Sequence, residues 1–239
     1  MLKRLIERLD ASPLLRGGAL AVVLVVALAF RLYGANWDQG GFFHPDERFI
    51  LLLKLPEIAP LWPFDLKKAL DPATSPWNPH WFAYGSFPFY LMRVAFDLAQ
   101  GVLGKLTLDD TRYLGRGFSA LADTGTVALV YWLGNRLFGW RTGLLGAALL
   151  ALAVIHIQLS HFAAFDVQLT FWVTCTIAGS ALAMRRPGWQ SVVVTALGLG
   201  LGLATKISVL GLLAPVAVGH LLYVFMQPDG TLGRGFTMP

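Results

Sequence analysis

The sequence predicts an all-α fold: a polytopic transmembrane helix bundle with an extracytoplasmic loop carrying interfacial helices. Three observations carry that expectation. Hydrophobic residues make up 56% of the 239 and charged residues 14%, with a mean hydropathy of +0.59; a soluble domain carries about 25% charged residues. Apolar runs near the roughly 17–25 residues that cross a hydrocarbon core recur along the chain. Lys and Arg collect at the ends of those runs, and several of the 8 Trp and 6 Tyr stand close by, as the positive-inside rule and interfacial aromatic belts require.

The first run covers residues 14–33. Lys3, Arg4, Arg8 and Arg16 precede it, which resembles the start of a secretory leader. It lacks a small-x-small cleavage site and closes on Arg31-Leu32-Tyr33, so it reads as a retained first span. Residues 34–111 follow as the long loop, rich in aromatics and in proline (Pro45, Pro56, Pro60, Pro63, Pro72, Pro76, Pro79, Pro88). Further runs at 112–138, 142–156, 165–184, 191–205 and 207–225 bring the expectation to about six spans.

Residues 82–103 are apolar enough to span but are interrupted by Arg93 and Asp97. Charge placement decides. If this stretch lies in the interface as an amphipathic helix, the N-terminal cations, Arg136 with Arg141, and Arg185 with Arg186 fall on one side. If it spans, that agreement breaks. The interfacial reading puts the N-terminus in the cytoplasm and the protein in the cytoplasmic (inner) membrane. It also collects Asp46, Glu47, Arg112, Arg116, His161, Asp166 and Lys206 at the extracytoplasmic face.

Several functional classes drop out. The charge of +5 sits at span ends rather than on a nucleic-acid-binding surface. One cysteine, Cys175, permits neither an internal disulfide nor a cysteine metal site. The Gly198-Leu199-Gly200-Leu201-Gly202 stretch reads as a small-residue face for close helix packing, since it lacks the strand-then-helix setting of a phosphate loop.

His44-Pro45-Asp46-Glu47, just past the first span, is the most informative segment. Adjacent carboxylates on a helix point about 100° apart, so one can face a substrate while the other holds a metal, a cation or the backbone. An aspartate partly shielded from water can serve as general base toward a hydroxyl. Pro followed by two acids is also how an ordinary helix begins. Arg112 and Arg116 share a helix face and suit a phosphate, or snorkel at a span end. His156, His161 and Asp166 are spaced by five, which is not a metal-binding helix face; structural hydrogen bonds are expected for both histidines, and Asp166 can cap the next helix. Lys206 is a loop lysine or a phosphate contact. The aromatic run Trp77-Asn78-Pro79-His80-Trp81-Phe82-Ala83-Tyr84 reads first as an interfacial anchor and second as a sugar or lipid contact.

Taken in order, these pieces resemble the membrane-embedded glycosyltransferases of the C superfamily, in particular the group of protein O-mannosyltransferases and aminoarabinose transferases. The likeness rests on Phe43-His44-Pro45-Asp46-Glu47-Arg48-Phe49, on Asn78 through Pro88, and on Arg112-Tyr113-Leu114-Gly115-Arg116. It continues through Arg136-Leu137-Phe138-Gly139, Ser160-His161-Phe162, Asp166-Val167-Gln168 and Ala204-Thr205-Lys206, and so runs through nearly the whole chain. It implies a polyprenyl-phosphate-linked sugar donor, with Asp46 as the base toward an acceptor hydroxyl and inversion at the anomeric carbon. Glu47 and Asp166 become candidate catalytic or metal-ligating acids, because some relatives use a divalent metal ion and others do not. His44, His80, Tyr84, Arg112, Arg116, His161 and Lys206 become candidate substrate contacts, with Arg116 and Lys206 facing the leaving phosphate. Relatives are considerably longer, so residues 1–239 read as the N-terminal transmembrane module, with a missing half or a C-terminal partner expected. The acceptor (protein, lipid or glycan) stays open.

Two other readings compete. A non-catalytic membrane subunit that binds lipid or partner helices would need the arginines and aromatics but not Asp46. A transporter would need charges along a path through the bilayer, and here they gather at the faces.

Overall fold

The computed structural model describes residues 10–185 and 188–225. Among them it is helical, without strands. Helix α1 spans Pro13–Leu32, with Ser12 accepting from Leu15 N–H at its start and a proline in the first turn, a pairing that suits helix entry. The loop carries α2 (Pro45–Arg48), which runs through a π-helical turn at Phe49–Lys54 into α3 (Leu55–Glu57), then α4 (Leu66–Ala69) and α5 (Phe87–Leu103). The bundle continues with α6 (Leu108–Phe138), α7 (Trp140–Ala151), α8 (Val154–Ser160), α9 (Phe165–Arg185) and α10 (Trp189–Leu203). A 3₁₀ turn at Ile207–Leu212 leads into α11 (Leu213–Phe225).

Helices α1 and α9 are each long and apolar enough to cross a membrane, and α7 with α8 makes a third if the bent pair counts as one span. The sequence suggested about six. The difference has a physical cause. Helix α6 is long enough at 31 residues, but Asp109, Asp110, Arg112, Arg116, Asp123 and Arg136 lower its apolarity, and several of these turn inward to ion pairs. Helices α10 and α11 are apolar but short.

Helix α5 is 17 residues long and is not one of the helices that qualify as spans. Its Phe89, Met92 and Phe96 are buried, while Val94, Leu98 and Val102 are exposed on another face. Arg93 Nε donates to Asp97 Oδ1 at 2.8 Å, and Asp97 Oδ2 accepts from Leu61 N–H at 2.9 Å. The two charges that interrupt the run therefore tie the helix to its own loop. At the far end of the bundle Asp10 accepts from Trp140 Nε1 at 3.0 Å and pairs with Arg141, and Arg16 lies 5.5 Å over the Trp140 ring. The start of α1 and the α6–α7 turn share one end, as the interfacial reading requires. Lys3, Arg4, Arg8 and Arg186 lie outside the described residues.

The run at 142–156 is not continuous. It bends by 57° between α7 and α8, which leaves carbonyls at the end of α7 without their helical donors. Arg31 supplies them: Nη1 donates to Ala151 O at 3.0 Å and Nη2 to Leu150 O at 3.3 Å. Its Nε meets Asp123 Oδ2 at 2.6 Å, and His156 Nδ1 and Ser160 Oγ approach the same carboxylate at 2.7 and 3.3 Å. Arg31 and Asp123 are fully buried, so this charge pair locks α1, α6 and the bend together. Helices α9 and α10 cross closely: a Cβ on Gly198 would lie 2.6 Å from Thr176 N, so the small-residue face packs as expected.

Candidate functional site

Asp46 and Glu47 sit side by side in α2 and face different worlds. His44 caps the helix, its Nδ1 accepting from Glu47 N–H at 3.4 Å while its ring stacks on Phe162 at 4.2 Å. Glu47 points inward and is fully buried. Arg116 meets both its oxygens, Nε to Oε1 at 2.8 Å and Nη2 to Oε2 at 2.6 Å, and Ala163 N–H adds a third bond at 2.9 Å. The same guanidinium holds Asp38 at 3.0 and 2.7 Å and reaches the Ala35 carbonyl. Burial works against the Asp38 charge, but the hydrogen bonds and charge of Arg116 outweigh it and hold the carboxyl below its usual range.

Arg112 and Arg116 do share a face, and that face turns into protein. Arg112 is buried and donates to Asn36 Oδ1 at 2.8 Å, pairs with Asp109 at 2.9 Å, and stacks over the Phe42 and Tyr113 rings. His161 is likewise engaged, with Nδ1 2.6 Å from Ile157 O and Nε2 2.6 Å from Tyr33 O. His80 is exposed, in a left-handed turn at φ 48°, with its N–H on Asn78.

Asp46 faces outward. It lines a cavity of about 850 Å³ with Arg48, Phe49, Trp81, Tyr84 and Lys206. Tyr84 Oη donates to Asp46 Oδ2 at 3.1 Å. Lys206 Nζ lies 5.1 Å over the Tyr84 ring and donates to Asp166 Oδ1 at 2.9 Å. The four residues therefore form one polar chain, Asp46–Tyr84–Lys206–Asp166. Burial and the Asp46 carboxylate push the Tyr84 hydroxyl up to about 12, so it stays a proton donor through the neutral range.

Backbone pairing makes this meeting possible. Gly85 N–H donates to Thr205 O at 2.8 Å and Phe87 N–H to Ala204 O at 3.2 Å. A Cβ on Gly85 would fall 1.9 Å from the Ala204 carbonyl oxygen, so this contact admits glycine alone. The Tyr84 ring then packs edge-on against Trp81 and Phe165. A second, apolar cavity of about 530 Å³ lies between residues 61–77 and α5; both oxygens of its one carboxylate, Asp97, are engaged by Leu61 and Arg93.

Among the described residues no group of three or more His, Cys, Asp or Glu stands ready to hold an ion. Glu47 has both oxygens on Arg116, so a cation there would have to displace a buried guanidinium.

Sequence reasoning brought Asp46, Tyr84, Asp166 and Lys206 forward, and the structure joins them. It also placed Glu47 and Arg116 at the site, and the structure joins those two to each other. It missed Arg48 in the cavity wall, Asp38, and the Arg31–Asp123 pair; a charge inside a span such as Asp123 was the available signal.

A family model described as dolichyl-phosphate-mannose-protein mannosyltransferase matches residues 73–234. No curated protein and no solved structure matches the chain. The matched stretch contains Tyr84, Asp166 and Lys206 but not Asp46, which joins them through the Tyr84 hydrogen bond. With more than half of its length matched, this multi-pass membrane protein belongs to the dolichyl-phosphate-mannose-protein mannosyltransferase family of glycosyltransferases.

Proposed function

We propose that the protein transfers a sugar from a polyprenyl-phosphate donor to an acceptor hydroxyl, with Asp46 as general base. The observation that carries this reading is the shared cavity: Asp46, Tyr84 and Lys206 line one space, and Asp46 Oδ1 takes no hydrogen bond from the described residues. In the reaction Asp46 accepts the acceptor's hydroxyl proton. The oxygen attacks the anomeric carbon from the face opposite the phosphate, the bond from that carbon to the phosphate oxygen breaks, and polyprenyl phosphate leaves with the electron pair. Configuration inverts. Tyr84 orients Asp46, and the Lys206 charge favours the departing phosphate. No step is assigned to a metal ion. The cavity is taken to open extracytoplasmically in the inner membrane, with the N-terminus in the cytoplasm. The grouping of Arg16 and Arg141 at the opposite end supports this orientation.

The test is transfer from a polyprenyl-phosphate hexose in reconstituted protein. Asp46→Asn is expected to lower kcat by about 10²–10⁴-fold, the usual contribution of a positioned base, with thermal stability unchanged. Equal turnover by the variant removes Asp46 from this role. Donor binding without transfer by wild type instead favours a binding subunit.

A further inference from the structure

The two cations of the cavity wall stand in different states. Lys206 is held, with its Nζ on Asp166 at 2.9 Å in a part-exposed pair. Arg48 is exposed in the same wall, and none of the described residues accepts a hydrogen bond from its guanidinium. Asp46 already has Tyr84 as a donor. The other two arginines of the candidate site do not line this cavity: Arg116 is buried against Asp38 and Glu47, and Arg112 is buried with its Nη2 on Asn36 and Asp109. An incoming anion therefore finds one guanidinium free at once. It finds one ammonium available when that group leaves its carboxylate. A guanidinium offers phosphate a two-pronged bond, and an ammonium adds a mobile point charge.

Resting on the donor chemistry proposed above, we infer that Arg48 and Lys206 form the subsite for the phosphate of a lipid phosphate, and that Asp166 is an internal competitor holding Lys206 until the phosphate arrives. In formal charge the two cations balance Asp46 in the cavity wall and Asp166 behind Lys206. A bound phosphate adds negative charge, and the Lys206 contact shifts from the carboxylate to the phosphate. Asp166 is thereby released as the ligand enters, so ligand binding and the state of the second acid are coupled.

Binding to the full chain in detergent tests this. The probes are a polyprenyl monophosphate, the matching polyprenol, phosphatidylglycerol and inorganic phosphate. Arg48→Gln is expected to weaken polyprenyl monophosphate binding about tenfold, as losing a charged hydrogen bond does, with partial recovery in Arg48→Lys. Asp166→Asn is expected to tighten it about threefold, because a part-exposed ion pair no longer competes. Unchanged affinity in Arg48→Gln overturns the inference, as does weaker binding in Asp166→Asn. A parallel loss of phosphatidylglycerol binding also overturns it, since Arg48 would then be a general headgroup contact. Wild type that binds polyprenol as well as its phosphate refutes the donor reading itself, and the subsite with it; retained preference for the phosphate with unresponsive variants refutes only the subsite.

Discussion

Asp46 and Glu47 are chemically alike and one peptide apart, yet their surroundings assign them opposite tasks. The Glu47 carboxylate accepts three hydrogen bonds and has no exposure; the Asp46 carboxylate accepts one and faces a cavity. Truncating one member of a buried ion pair strands the other's charge, so Glu47→Ala is expected to cost about 3–5 kcal/mol, read as a lower Tm in detergent. A Glu47 that acted in catalysis alone would leave Tm unchanged and abolish transfer. The sequence showed that an acidic pair stood at a membrane boundary. It could not show which acid turned inward, because that depends on Arg116, which lies 69 positions away.

At the scale of elements, the site depends on where segments distant in sequence dock. The 84–87 strap is fastened to the 204–206 turn by two backbone bonds, and Tyr84 meets Lys206 as a result. Gly85→Ala places a methyl where the Ala204 carbonyl already lies. The strap must lift, at a cost of about 1–3 kcal/mol for overpacking. The expected outcome is a partial loss of Tm together with loss of transfer even though Asp46, Tyr84 and Lys206 are all present; full activity would mean that the strap does not set the site. Nothing local in Tyr84-Gly85-Ser86 announces this contact, whereas the amphipathic character of α5 was legible from Arg93 and Asp97. The bend between α7 and α8 was hidden for a related reason: residues 143–155 carry no polar side chain, and what stabilises the break is Arg31, contributed by another helix.

For the whole molecule, the arrangement of charge predicts an orientation. Asp10, Arg16, Trp140 and Arg141 meet at one end of the bundle, while the loop with Lys67 and Lys68 belongs to the segment that follows α1. If α5 lies along the surface, α1 is the one crossing between residues 10 and 67, and α6 returns the chain before residue 142. In a Cys175→Ser background, Lys67→Cys is expected to react with a membrane-impermeant maleimide in intact cells, and Thr142→Cys only after permeabilisation. Both positions are exposed, so a failure to label cannot be blamed on burial. Labelling of both in intact cells would mean that α5 crosses the bilayer, which puts Arg141 on the same side as the loop. The reverse pattern would keep α5 on the surface but turn the Asp46 cavity toward the cytoplasm, against the orientation proposed for it.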